Sequence, residues 1–444
     1  MARVLLVTVG GSPQPIITSI QKLAPDRVIF FCSSGKNGSE SQVLGGGLPC
    51  ELRENGQVTK KISNLPTYLK LGSRFQPDRD VVKLTNPDDA AECYRRAVET
   101  IQQLMASNKN DDIIVDYTGG TKTMSLSLGM AAIDYERDLY VTTTLRKNIL
   151  SVSRGELPER VSTSSIQITR KLERLLPIFV TSSNYPAAIS QLQDLLTFEV
   201  SEEARRHIRQ YLECCQAFEA WDRFDHRTAF DLLEPFMRSP AIKPVLDFLK
   251  RVMHSRADIQ EEFKIERLKL QYHGYEVVED LLLNAERRAK QARYDDAVGR
   301  LYRALELLMQ IHLKKRYDKT TAGVAPEELA ALLPEALQHK YGSMLSSGKS
   351  RLQFGITRGY ELLRDIPGDP LGALYKQYEG RLSKVLKIRN LSLFAHGFDP
   401  ISQDDYQEFY EIAKSFVEQA IETLAPDKIY APRVQFPDEL NGMF

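Results

Sequence analysis

The feature that most constrains the fold is a short segment, residues 116–123, in which an apolar run meets a glycine pair. It reads Asp-Tyr-Thr-Gly-Gly-Thr-Lys-Thr and follows the β-branched run 113–115. That run predicts a strand buried on both faces of a parallel sheet, and the apolar spacing over 124–133 predicts a helix. A strand that enters a helix through Gly119 and Gly120 presents backbone N–H groups where an anion is favoured. The segment therefore predicts a phosphate-binding turn.

The segment differs from the Walker A loop of P-loop ATPases. Thr121 separates Gly120 from Lys122, and the upstream glycine of that motif is missing. A P-loop ATPase is therefore disfavoured. A plain strand-to-helix turn, which needs glycine only for its dihedral angles, is the structural alternative. The hydroxyls of Thr118, Thr121 and Thr123 and the amine of Lys122 favour phosphate binding instead.

The first third of the chain alternates short strands with helices. This alternation predicts a parallel sheet with helices on both faces. A polar, glycine-rich stretch at 33–56 predicts a mobile loop with a short helix. Strands are predicted at 3–9, 27–32, 80–84 and 113–115, and a terminal hairpin is predicted from 138–144 and 149–153. Helices are predicted at 16–23 and 87–106.

A second glycine pair, Gly10-Gly11, follows the first predicted strand. Ligands of open α/β sheets bind beyond the carboxyl ends of the strands, so both glycine turns are expected at one crevice. A dinucleotide-binding fingerprint is disfavoured, because G-x-G-x-x-G is not completed and Pro13 and Pro15 interrupt it. The residues predicted to face residues 118–122 across this crevice are Thr8, Gly10, Gly11, Ser12 and Gln14.

Composition sets the broad limits. With 444 residues the chain is long enough for two or three domains. The 59 basic and 59 acidic residues cancel, so any nucleic-acid binding must be local. Five cysteines without a C-x-x-C pair favour a reducing, cytoplasmic compartment. No apolar run is long enough for a membrane span, and the first run is too short for a signal peptide.

From about residue 165 the pattern becomes helical, with apolar residues at three- and four-residue spacing. No fixed period is visible, although helix pairs of this kind could form a degenerate solenoid. Helices are predicted at 172–178, 187–196, 204–220, 243–253, 259–270, 277–293, 295–316, 326–337, 371–394 and 404–424.

A second candidate site lies near the end of a basic helix, in the segment 389–396. If this segment is helical, Arg389 and His396 are about 700° and about 10 Å apart, nearly on one face. A lone arginine or histidine is usually a solvated or core group, but two copies related by a dimer axis would form a compact cluster. A histidine with a pKa near about 6.5 can exchange protons with a ribose hydroxyl, and arginine can hold a phosphate. Asn390, beside Arg389, completes the catalytic candidates.

The two candidate sites together resemble a known family, the CRISPR-associated ribonucleases that join a CARF sensor to a HEPN effector. Residues 8–15 and 116–123 are similar to the sensor's turns, residues 294–306 to an early HEPN helix, and Arg389 with His396 to the R-x4-6-H motif. The resemblance implies a Rossmann-like CARF domain at 1–165, a helical connecting region at 166–275 and a HEPN domain at 276–444.

The resemblance also implies a function. The implied protein is a homodimeric endoribonuclease of type III CRISPR antiviral defence. It cuts single-stranded RNA without a metal or cofactor. Its activator is cyclic oligoadenylate, with the tetra-adenylate ring favoured. Some sensors of this family also cleave their activator, and Lys122, Thr118, Thr121 and Ser12 could do so slowly here, since no histidine precedes His207.

Two other interpretations remain open. In one, the sensor drives a non-catalytic helical domain that binds nucleic acid or protein. In the other, a toxin-like HEPN nuclease senses an ordinary nucleotide.

Overall fold

The computed structural model describes residues 1–35, 38–47, 50–54, 57–143, 157–265, 270–321, 323–342, 351–426 and 432–440. These residues divide into two compact units, Met1–Gln167 and Ile168–Phe444. The predicted fold class, an α/β domain followed by an all-α region, is confirmed.

The first unit is built from short strands and helices in alternation. The strands are β1 (Arg3–Thr8), β2 (Arg27–Ser33), β3 (Cys50–Glu54), β4 (Gln57–Ile62), β5 (Val81–Leu84), β6 (Asp112–Asp116), β7 (Asp138–Thr143) and β8 (Leu157–Val161). The helices are α1 (Gln14–Leu23), α2 (Ser41–Leu44), α3 (Leu65–Tyr68), α4 (Pro77–Asp80), α5 (Ala90–Ser107), α6 (Lys122–Asp134) and α7 (Ser164–Arg170), which extends past the division between the units.

Six strands form the main sheet, in the order β5-β2-β1-β6-β7-β8. All neighbours are parallel except β7 and β8. The chain moves from β1 to β2 on one side and later returns to β6 on the other, so the switch point lies between β1 and β6. Apolar side chains from both faces of the sheet are buried under helices, as the continuous apolar strands predict.

The turns that follow β1 and β6 touch each other through their backbones. A Cβ atom on Gly10 would lie 2.6 Å from the Gly120 nitrogen, and one on Gly119 would lie 2.2 Å from the Thr8 carbonyl oxygen. Gly120 also has a φ of 80°, in the left-handed region. Close backbone approach therefore explains why both turns carry glycine.

A second, two-stranded sheet was missed in the polar region expected to be a loop. Strands β3 and β4 form an antiparallel hairpin, whose inner face buries Cys50, Leu52 and Ile62. Its outer positions are charged, and the hairpin's alternation is short and broken by a register shift near Leu52. Such a weak pattern is easily mistaken for a loop.

The terminal hairpin was predicted with a different second strand. Residues 149–153 lie outside the described residues, and the strand that pairs with β7 is β8, at Leu157–Val161. The antiparallel pairing itself agrees with the prediction.

The regular elements described in the second unit are helices, apart from one isolated antiparallel bridge between Val324 and Leu352. A π-helical turn at Lys171–Leu175 leads into α8 (Leu176–Thr181), α9 (Tyr185–Leu195), α10 (Glu202–Asp222), α11 (His226–Leu233), α12 (Ile242–Ala257), α13 (Glu276–Lys290), α14 (Tyr294–Tyr317), α15 (Pro326–Ala330), α16 (Glu335–Gly342), α17 (Ile356–Asp365), α18 (Pro370–Leu391) and α19 (Gln403–Leu424). The helix predicted at 259–270 is wrong where it is described, because residues 259–265 form turns and irregular backbone.

One apolar core runs through this unit, from Leu176 in α8 to Leu440 near the end of the chain. Helices before and after residue 275 share it, and the boundary placed at 275 stays a prediction. A buried arginine, Arg287 of α13, lies within this core with its guanidinium 3.8 Å from the Phe436 ring and 2.8 Å from Asp222. Burial lowers the pKa of Arg287 to about 10, an effect opposed by the charge of Asp280.

The contact between the two glycine turns can be tested with matched alanine variants. We expect Gly119→Ala to lower the free energy of unfolding by about 2 kcal/mol or more, because its Cβ would overlap backbone that cannot move aside. Gly11→Ala is the control, since no atom lies within 4 Å of its added Cβ. Urea unfolding monitored by circular dichroism measures both, and equal stability of the two variants would contradict the assignment.

Candidate functional site

A cavity of about 670 Å³ lies beside the two glycine turns in the first unit. This volume is within the usual range of small-molecule sites, about 300–1,000 Å³. The residues that line this glycine-turn cavity are Val9, Gly10, Gly11, Ser12, Pro13, Gln14, Ser33, Gly38, Ser39, Ser41, Gln42, Cys50, Glu51, Lys61, Gly120, Thr121 and Met124.

The structure brings together most, but not all, of the predicted ligand-binding residues. Those in the cavity wall are Gly10, Gly11, Ser12, Gln14, Gly120 and Thr121. Those in the same turns but outside the wall are Thr8, Thr118, Gly119 and Lys122. Helix α6 begins beside the cavity, so the free backbone N–H groups of its first turn offer donors to an anion.

Two threonines among the predicted ligand-binding residues use their hydroxyls to join the turns to other backbone. The Thr8 hydroxyl donates to the Gly119 carbonyl at 2.6 Å, and the Thr121 hydroxyl donates to the Pro87 carbonyl at 2.7 Å. Thr121 also caps α6 by accepting from the Met124 amide. These hydroxyls hold the shape of the site before any ligand arrives.

Thr118 belongs to a network around the buried Asp116. The Asp116 carboxylate accepts from the Thr118 amide at 2.8 Å, from the Thr118 hydroxyl, and from the Thr142 hydroxyl at 2.8 Å. The Thr118 hydroxyl in turn accepts from the Thr142 amide at 2.6 Å. Asp116 therefore ties the end of β6 to β7, and the Thr118 hydroxyl takes part in this connection.

The cavity has a second wall that the sequence did not reveal. Ser33 ends β2, Ser39 and Ser41 follow that strand, and Glu51 and Lys61 belong to the β3–β4 hairpin. Gln42 connects the two walls, because its side-chain amide donates to the Gly10 carbonyl at 2.7 Å. The serine-rich composition of residues 33–41 was the available signal.

In the second unit, Arg389 lies in the last turn of α18 and is half-buried. Its guanidinium carbon stands 4.3 Å from the ring centre of Tyr302 in α14, a cation–π contact. The Arg389 Nε atom is buried without a hydrogen-bond partner in the described structure, and one terminal nitrogen reaches the Asn390 side chain at 3.5 Å. Burial and the Glu306 charge raise the pKa of the Tyr302 phenol, and Arg389 opposes this.

His396 does not continue the helix of Arg389, contrary to the helical spacing considered from the sequence. Helix α18 ends at Leu391, and Ser392 has extended backbone. The Ser392 hydroxyl donates to the Arg389 carbonyl at 2.8 Å. The following residues fold back, and the His396 amide donates to the Asn390 carbonyl at 3.4 Å. His396 and Asn390 are exposed and stay near each other through this backbone turn.

The other end of α18 is anchored by a buried carboxylate, Asp369. Asp369 caps the helix by accepting from the Gly372 amide at 2.6 Å, and it also accepts from His312 at 2.7 Å and Tyr317 at 2.8 Å. Burial raises the pKa of Asp369, but the bonds from His312, Gly372 and Tyr317 outweigh it, so the net pKa is below the ordinary value. The network fixes the helix that carries Arg389.

Exposed apolar side chains lie on α6, which begins beside the cavity, and around His396. Leu126 and Met130 are exposed one turn apart on α6, and Leu393, Phe394 and Phe398 are exposed around His396. Phe398 has 88% of its surface accessible. Grouped apolar exposure of this kind is typical of interaction surfaces.

Two features are absent from the described ranges. No group of three or more His, Cys, Asp or Glu side chains there has the arrangement of a metal site. None of the helices there has both the length and the hydropathy of a membrane-crossing segment.

Comparisons with known proteins agree with the two-part architecture. Residues 266–420 match the family model of the Csm6 HEPN domain. The CRISPR system endoribonuclease Csm6 of Thermus thermophilus is 22% identical over 347 residues, covering 74% of each chain. The structure of Enterococcus italicus Csm6 bound to cyclic hexa-2′-fluoro-hexa-dAMP superposes with a TM-score of 0.52 at 10% identity, covering 96% of this chain and 95% of that one. This last likeness shows a shared fold.

The Asp369 network leads to a prediction about stability and pH. Because the folded pKa of Asp369 is lowered, its carboxylate stabilises the protein above the unfolded pKa of about 3.9, and this contribution is lost as pH falls through the folded value. Asp369→Asn keeps a helix cap but removes the negative charge that His312 faces. We therefore expect the free energy of unfolding to fall by about 3 kcal/mol at pH 7.

The measurement is urea unfolding of both proteins from pH 7 to pH 3. The difference between wild type and variant should begin to shrink below about pH 4, where the carboxyl of the unfolded chain takes up a proton, and should shrink further as pH falls toward the lowered pKa of the folded carboxyl. A difference that stays constant with pH would rule out the charged network as its cause.

Proposed function

This chain belongs with the CRISPR-associated proteins that join a CARF domain to a HEPN domain, and we propose that it is an endoribonuclease switched on by cyclic oligoadenylate. Its substrate is single-stranded RNA, its compartment is the cytoplasm, and its role is type III CRISPR antiviral defence. The five cysteines are buried free thiols, which supports a reducing compartment.

The observation that carries this proposal is the presence of both parts in one chain. The stretch that matches the Csm6 HEPN domain contains Arg389 and His396, and the α/β unit holds a nucleotide-sized cavity at its switch point. The Csm6 of known structure was bound to a cyclic hexanucleotide analogue. We assign residues 1–165 to the sensor, 276–444 to the nuclease and 166–275 to the connection between them.

Cleavage is assigned to Arg389, Asn390 and His396, without a metal ion. The exposed His396 is placed to take the proton of a ribose 2′-hydroxyl as that oxygen attacks the adjacent phosphorus, or to give a proton to the leaving 5′-oxygen. Arg389, held against Tyr302, presents a preoriented guanidinium to the phosphate. Asn390 lies between them and reaches the Arg389 guanidinium.

Two copies of the chain are needed to supply both a general base and a general acid, so we propose a homodimer. One histidine cannot act as base and acid on opposite sides of one phosphate, and a second copy supplies the second histidine. The exposed Leu393, Phe394 and Phe398 beside His396 give that copy an apolar contact surface, as Leu126 and Met130 do on α6.

The activator is assigned to the glycine-turn cavity. Cyclic tetra-adenylate repeats one nucleotide unit around a ring, so a two-fold pair of cavities can each take part of it. The proposed contacts come from Gly10, Gly11, Ser12, Gln14, Gly120 and Thr121, with Thr8, Thr118, Gly119 and Lys122 supporting the turns. For the activator to raise activity by about 100-fold, it must bind the active state more favourably than the inactive state by about 2.7 kcal/mol.

The nuclease assignment is tested by RNA cleavage with and without cyclic tetra- or hexa-adenylate. We expect activation by one ring, and a loss of about 100-fold or more in Arg389→Ala and His396→Ala, since each removes a group that acts in the transition state. The controls are Arg358→Ala and His207→Ala, which change exposed residues of the same types.

Several results would count against the proposal. Equal rates with and without the ring would exclude the switch, and full activity of His396→Ala would favour a non-catalytic regulator instead. A different nucleotide found by mass spectrometry of the purified protein would favour the toxin-like interpretation.

We also propose that the sensor cleaves its activator slowly. A ribose 2′-hydroxyl would attack the adjacent phosphorus, the bond to the 5′-oxygen would break, and water would carry the proton between them, since no histidine precedes His207. Lys122 and Ser12 supply charge and a hydroxyl, while Thr118 and Thr121 are held by other partners.

The double variant Arg389→Ala, His396→Ala, incubated with cyclic tetra-adenylate, isolates this second reaction. Chromatography should show slow opening of the ring to a product with a 2′,3′-cyclic phosphate, and Lys122→Ala added to the double variant should slow it further. An intact ring after long incubation would remove this activity from the proposal.

A further inference from the structure

The β3–β4 hairpin supplies the charged part of the glycine-turn cavity. Among the described residues that line it, Glu51 and Lys61 alone are charged at neutral pH. They are cross-strand partners, so their side chains lie on the same face of the hairpin. The Lys61 Nζ atom is 3.5 Å from the Glu51 Oε1 atom.

This ion pair can exchange partners. The Lys61 side chain is 63% exposed, and an exposed pair of this kind is worth only about 0.2–1 kcal/mol. A phosphodiester that enters the cavity would already be favoured by the N-terminus of α6, and its two unesterified oxygens, which share one negative charge as a carboxylate does, would give Lys61 a second acceptor. Lys122, in contrast, does not line the cavity.

We propose that Lys61 is the phosphate-binding cation of the cavity and that Glu51 holds it in place while the cavity is empty. This inference rests on the proposed sensor function and adds a specific contact to it. Ligand binding then moves the Lys61 amine from the Glu51 carboxylate to a phosphate oxygen. Glu51 weakens binding, because it competes for Lys61 and repels the ligand's negative charge.

The neighbouring Lys60 provides a matched control. It pairs with Leu52 across the hairpin, stands 5.1 Å over the Tyr68 ring and is not in the cavity wall. Lys60 and Lys61 are adjacent residues of β4. Lys60→Glu and Lys61→Glu therefore make the same change of net charge at neighbouring positions. A difference between their effects therefore depends on the position of residue 61 in the cavity wall, and Lys61→Gln, which adds no negative charge, tests the loss of the contact itself.

The experiment measures binding of labelled cyclic tetra- and hexa-adenylate by the full-length protein. We expect Lys61→Glu to weaken binding by at least about tenfold, Lys61→Gln by less, and Lys60→Glu by little. Glu51→Gln should strengthen binding by about twofold to fivefold. The salt dependence of binding should be shallower in Lys61→Gln than in wild type, because one cation–phosphate contact is lost.

The outcomes separate this inference from the function on which it rests. If wild type binds neither ring, the sensor function fails and the inference fails with it. If wild type binds and Lys61→Glu matches Lys60→Glu, the inference alone is overturned. Weaker binding by Glu51→Gln would overturn the role given to Glu51. Thermal unfolding of each variant shows that the fold is kept.

Discussion

The contact between the two glycine turns is the interaction on which the first unit depends. β1 and β6 are paired with Val7 opposite Asp116, so the turns that leave these strands must pass within backbone distance of each other. Only residues without a Cβ allow this at positions 10 and 119. The cavity, the start of α6 and the position of Gln42 all follow from that approach, because each is attached to one of the two turns.

Much of this architecture could be predicted from the sequence, because buried parallel strands and amphipathic helices leave strong periodic patterns. The hairpin that carries Glu51 and Lys61 could not, since its strands are short and largely charged. The roles of Thr8, Thr118 and Thr121 were also hidden. A hydroxyl has the same sequence signature whether it binds a ligand or a neighbouring carbonyl. The end of α18 depends on the hydrogen bond from the Ser392 hydroxyl to the Arg389 carbonyl. A side-chain bond of this kind competes with continuation of the helix.

Helix α18 is held near both ends by contacts with α14. Its start is fixed by Asp369 bonding to His312, and its end by Arg389 stacking on Tyr302. Both partners lie on one helix of 24 residues, so the distance between the two anchors is set by helical geometry. A shift of α14 would therefore move Arg389 with it, and this is a direct physical route by which a rearrangement of the helical unit could alter the surroundings of Arg389.

The contact between Arg287 and Phe436 has a consequence for synthesis of the chain. The Arg287 guanidinium also donates to Gln435 at 2.7 Å, so part of its burial is provided by residues 432–440. A nascent chain lacks these residues until the ribosome has translated them, and until then its core would contain a charge with incomplete contacts. The helical unit therefore completes its packing only after translation of residues 432–440.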